Sequence, residues 1–86
     1  MPEISRFFGI VIRMFYDDHD PPHMHIEYQG KTAKIDFCGN VLRGDLGSRT
    51  ALKLAREWID LHAEELRKDW DLAREGKPLE KISPLE

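Results

Sequence analysis

The 86 residues carry a formal charge of −3, with 41% hydrophobic and 34% charged residues. A chain of this length closes one small core, and its composition excludes both disorder and a second domain. No apolar run reaches the roughly 20 residues that cross a bilayer. The first residues lack the basic and apolar regions of a signal peptide. The single Cys38 excludes an intramolecular disulfide and a cysteine zinc cluster. A cytoplasmic protein with no membrane association is expected.

Residues 7–16 are rich in aromatic and β-branched side chains and predict a central strand. Alternation places Phe8, Ile10, Ile12, Met14 and Tyr16 on one face, and Phe7, Gly9, Val11, Arg13 and Phe15 on the other. Three aspartates and Pro21-Pro22 then stop the strand, because proline lacks an amide donor and aspartate favours turns. Residues 23–28 alternate again, with Met24, Ile26 and Tyr28 one way and His23, His25 and Glu27 the other. Gln29-Gly30 is a short turn into residues 31–37, where Ala33, Ile35 and Phe37 share a face. Gly39-Asn40 offers a second tight turn into a short strand at residues 41–44. The first half thus reads as an antiparallel meander of three or four strands.

From Ser48, a helix N-cap, the apolar period becomes 3.6. Leu52, Ala55, Ile59, His62 and Leu66 form one stripe, with Ala51, Leu54, Trp58 and Leu61 beside it, and Trp70 and Ala73 continue it. Gly76 is a C′ residue. The pattern fits one long helix or two helices bent near His62-Ala63, and two close a small domain more easily. Residues 77–86, with Pro78 and Pro84, form a tail held by Leu79, Ile82 and Leu85. The expected organisation is a single α+β domain: a meander over 1–47 with a histidine-rich turn, a helical part over 48–76 and the tail.

The dense chemical cluster is residues 16–25, where three of the four histidines fall together. Residues two apart on a strand share a face, so His23 and His25 project side by side and Glu27 continues their row. Three roles are open. The first is a zinc, iron or nickel site, with His19, His23 and His25 as candidate ligands and Asp18 or Glu27 completing the set. The second is acid/base catalysis by the histidines, with Arg13 or Arg43 holding an anionic group such as phosphate. The third is structural or recognition use, the imidazoles bracing the Pro-Pro turn. Arg13 alternates away from Tyr16, which leaves its reach to the cluster open. His62, Trp58 and Trp70 fall on the apolar stripe and read as core. Ser5, Ser48 and Ser83 have no nucleophile-elbow context, and no glycine spacing fits a phosphate loop.

Charge is uneven along the chain. Residues 1–56 hold eight Lys/Arg against seven Asp/Glu, and residues 57–86 hold five against nine. General nucleic-acid binding needs a basic surface, so any RNA contact here is local or delivered by a larger partner.

Several segments carry a likeness: residues 2–9, Met14-Phe15-Tyr16, the Asp18-His19-x-Pro21-Pro22-His23-x-His25 signature, Arg43-Gly44, Glu57-Trp58-Ile59, His62, Glu65-Leu66 and Trp70. They resemble a family of small bacterial proteins catalogued as a domain of unknown function, some of whose members are named DhiT-like toxins. The resemblance implies the toxin-like component of a type II toxin–antitoxin module, neutralised by a small antitoxin encoded nearby. Its working surface is then expected at Asp18, His19, His23 and His25, with Tyr16, Glu27, Arg13 and Arg43 as binding residues. RNA cleavage is the reaction to test, on substrate presented by the ribosome or another partner. The alternatives are a non-catalytic protein-binding module and a metal-binding protein using the His-x-His strand. A homodimer over an exposed sheet edge suits a domain of this size.

Overall fold

Phe8 and Gly9 both have left-handed backbones, with φ of 49° and 80°. They reverse the chain inside what the sequence presents as one strand. Positive φ at both central positions is what a two-residue hairpin turn of the I′ kind requires. The computed structural model describes residues 3–16 and 21–85, and in it β1 (Glu3–Phe7) and β2 (Ile10–Arg13) form an antiparallel hairpin. The reversal sets Phe7 opposite Ile10, on the same side of the sheet. Phe7 therefore enters the core against Trp58, ring centroids 5.6 Å apart, instead of lying on the far face. Phe8 leaves the expected strand face for the turn, where it is 60% exposed.

The remaining strands are β3 (His23–Tyr28), β4 (Lys31–Asp36) and β5 (Val41–Gly44). They complete a five-stranded antiparallel sheet in the order β1-β2-β3-β4-β5. The meander is thus one strand larger than the upper count expected, because the Phe8-Gly9 turn makes two strands of one. The Gln29-Gly30 turn between β3 and β4 is present, again with positive φ at both residues. Between β4 and β5, the Asp36 carboxylate accepts the N–H groups of Cys38 and Asn40 at 2.9 and 2.8 Å. Partial burial opposes its ionisation, but these hydrogen bonds and the Asn40 side-chain amide hold the carboxyl below its usual range. Cys38, expected as a small apolar residue at a strand end, is exposed in this turn as a free thiol.

Ser48 caps α1 (Arg49–Leu61), its Oγ accepting the Ala51 N–H at 3.1 Å. The stripe breaks at His62, whose φ of −121° and ψ of 26° depart from helical values. Its ring packs on Trp58, and its Nδ1–H donates to the Glu65 carboxylate at 2.7 Å. α2 (Ala63–Arg74) follows and ends before Gly76, which takes the left-handed conformation at φ 72°. The stripe resumes in α2 with Leu66, Trp70 and Ala73, but Leu61, expected beside it just before the break, is 68% exposed.

Both helices pack on the sheet face that bears Ile10, Ile12, Ile26, Ala33 and Ile35, and Trp58, Ile59, Leu66 and Trp70 fill the layer between. Burying each of these larger side chains contributes about 1.5–3 kcal/mol. Arg56 ties α1 to the β4–β5 turn, its Nε–H donating to the Gly39 carbonyl at 2.9 Å. No described helix is long and apolar enough to cross a membrane.

The tail is pinned at three points. The Glu80 N–H donates to Asp69 Oδ1 at 3.0 Å, the Ile82 N–H to the Ile4 carbonyl at 2.8 Å, and Trp58 Nε1–H to the Ser83 carbonyl at 2.8 Å. Ile82 is buried, and Leu79 and Leu85 pack against the core as expected.

Asp69 is buried on α2, and its second carboxylate oxygen has no hydrogen-bond partner among the described residues. Desolvation raises its pKa; the Glu80 N–H works in the opposite direction, and the nearby Glu80 charge adds to the rise. A raised folded-state pKa gives stability that is complete below the unfolded value, near pH 3.8, and is lost as pH rises through the folded value. Asp69→Asn keeps an oxygen for the Glu80 N–H and removes the buried charge. The variant is expected to melt with the wild type near pH 3 and above it by pH 7, in a pH series of thermal unfolding curves.

Candidate functional site

Strand register places three basic residues and one histidine of the first half in one row. Arg13 on β2 is the direct partner of His25 on β3, His25 of Lys34 on β4, and Lys34 of Arg43 on β5. Alternation sends this row to the face opposite the helices. Arg13, whose reach the sequence leaves open, thus stands beside His25. Its guanidinium donates to Glu27, the next outward residue of β3, at 2.7 Å. Partner strands lie about 4.8 Å apart, so the four side chains cross roughly 14 Å of sheet.

His23 and His25 lie side by side, ring centroids 5.2 Å apart, in edge-to-face contact. Their surroundings differ. His23, at the start of β3, is fully buried, with Trp70 of α2 5.4 Å from its ring. Its Nδ1–H donates to the Pro21 carbonyl at 2.7 Å, which ties the end of the proline turn to the strand. His25 is half-buried and meets the edge of Phe15 at 4.3 Å. One imidazole therefore braces the turn against the core, and the other faces outward within the cationic row. Tyr16, 38% exposed, lies one residue beyond Phe15. Asp18 and His19, expected to complete the cluster, lie outside the described residues.

Among the described residues, no group of three or more His, Cys, Asp or Glu side chains is placed to hold a metal ion. Glu27, one candidate third ligand, is engaged by Arg13. The chemistry that the face supports is anion contact by Lys34 and Arg43, proton transfer at His25, and stacking on Phe15 or Tyr16.

Sequence reasoning overlooks Lys34 and Phe15. Lys34 is recoverable: the two-residue Gln29-Gly30 turn pairs Tyr28 with Lys31 and, counting outward, His25 with Lys34. Phe15 follows β2, and no local pattern places it against His25.

The two histidines are expected to separate in unfolding experiments. His23→Ala removes a buried ring from Trp70 and a donor from Pro21, and should cost about 2–4 kcal/mol. His25→Ala, on the half-open face, should cost about 1 kcal/mol or less. Urea denaturation of both variants measures the difference.

A family model described as "Domain of unknown function (DUF4160)" matches residues 9–71. The match runs from the Phe8-Gly9 turn into α2 and takes in His23, His25, Lys34 and Arg43. No curated protein and no solved structure matches the chain. The match covers most of the sequence, and the chain belongs to this domain family of unknown function.

Proposed function

We propose that the chain is the toxin-like component of a bacterial type II toxin–antitoxin module, and that it engages RNA with the helix-free face of its sheet. The observation that carries the proposal is the cross-strand row of Arg13, His25, Lys34 and Arg43, with Phe15 against His25. Cations in a row suit a phosphate backbone, and an adjoining aromatic ring suits an unstacked base. The overall charge of −3 limits this contact to a local patch, which fits substrate delivered by the ribosome or another partner.

His25 is the outward imidazole and takes the proton-transfer role. His23 is a positioning residue that holds the turn against Trp70. Arg43 stabilises charge that develops on the phosphate, while the Arg13 guanidinium is held by Glu27. The small antitoxin encoded nearby neutralises the protein by covering this face. A second reading, a non-catalytic protein-binding module, draws support from Val41 and Leu42, which are 39% and 42% exposed on the edge strand β5.

Induced expression in bacteria tests the proposal. The wild type should arrest growth, and His25→Ala should relieve the arrest at unchanged soluble yield, with a melting temperature lowered by no more than about 8 °C. Arrest that survives the substitution would remove His25 from the working site. Normal growth at good soluble yield of the wild type would overturn the toxin assignment and favour the binding module.

A further inference from the structure

We propose that the groove across β3, β4 and β5 is a phosphate subsite, in which Lys34 and Arg43 hold one backbone phosphate of the RNA strand. The inference rests on the reading that RNA lies on this face, and it names the contact point. The groove measures about 190 Å³ and is lined by His25, Thr32, Ala33, Lys34, Arg43 and Gly44. Sites for whole small molecules run to about 300–1,000 Å³, so a space this size suits one group of a longer ligand.

Charge pairing distinguishes this groove from the rest of the face. Arg6 is neutralised by Glu3 at 2.7 Å, and Arg13 by Glu27 at 2.7 Å. Lys34 and Arg43 form no ion pair among the described residues, yet they stand directly opposite each other across two strands. Like charges in direct cross-strand register repel and destabilise a sheet. An anion between them turns that repulsion into two attractions, and the guanidinium fork of Arg43 matches two phosphate oxygens. Thr32 and His25 add donors from the same face of β4 and β3.

Gly44, which lines the groove, lets β5 approach the β4 backbone closely. Its φ is 81°, and a Cβ there would collide with the Thr32 carbonyl oxygen. The other basic surface, Arg49, Lys53 and Arg56 on α1, is a weaker anion site. Glu57 and Asp60 line the same hollow, and Arg56 already donates to Gly39.

Amide chemical-shift titrations of the full ¹⁵N-labelled chain at low salt test the subsite, with a uridine hexanucleotide RNA and, separately, inorganic phosphate. Both probes should move the amides of residues 32–34 and 43–45. Lys34→Ala and Arg43→Ala should each weaken the hexanucleotide about tenfold and lower the salt-dependence slope by about one. Arg6→Ala, which removes a neutralised cation, should change affinity less than about twofold. Each variant's amide spectrum checks that it is folded. Hexanucleotide shifts confined to residues 49–60 would overturn the subsite and leave RNA binding standing. A groove response to phosphate alone would keep the subsite and remove RNA as its ligand. No response to either probe would overturn both.

Discussion

A slip of one residue between β3 and β4 would carry Met24 and Ile26 out of the core and turn His25 inward, because side chains alternate with a period of two. The Gln29-Gly30 turn leaves no slack for that slip: two residues with positive φ set Tyr28 opposite Lys31, and every pair further along follows. The Phe8-Gly9 turn does the same for β1 and β2. Core and cationic row are therefore two results of one constraint. The register that buries Ile12, Ile26 and Ala33 beneath the helices also aligns Arg13, His25 and Lys34 on the other side.

The two edges of the sheet are handled alike. The pairing of β1 with β2 shifts between Glu3 and Ser5, and that of β4 with β5 shifts between Lys34 and Ile35. Such irregularities twist an edge strand and make it a poorer template for further pairing. On β1 the tail adds a direct contact, the Ile82 N–H on the Ile4 carbonyl. On β5 the irregularity adjoins Arg43 and the left-handed Gly44, so the strand that ends the sheet also shapes the groove.

Much of this architecture is legible in local sequence, and the parts that are not share a physical cause. The Gln29-Gly30 turn, the Ser48 cap and the Gly76 stop are local devices, and each residue type declares its role. Phe8 does the opposite. A bulky aromatic residue rarely adopts positive φ, so the turn hides inside an apolar run, and Phe7 reads as facing the wrong side. In the site, adjacency across β3 and β4 follows from counting. The position of Arg13 beside His25 depends on residues 14–22, a connection too long to set register. The burial of His23 depends on Trp70, far along the chain, and no window around the histidine cluster contains that contact.

The interruption at His62 settles a question of length. A continuous helix over residues 49–74 would run about 39 Å at 1.5 Å per residue, whereas the molecule measures 33 Å along its longest axis. An unbroken rod would overhang the sheet and strand its last apolar turn in water. Because the chain bends there, the two indoles fall at separated places: Trp58 meets Phe7 on β1, and Trp70 meets Phe37 and His23 around β3 and β4. One 3.6-residue stripe thereby becomes two anchors. The second packs against His23, so the inner member of the histidine pair is held from α2 while its neighbour His25 looks outward.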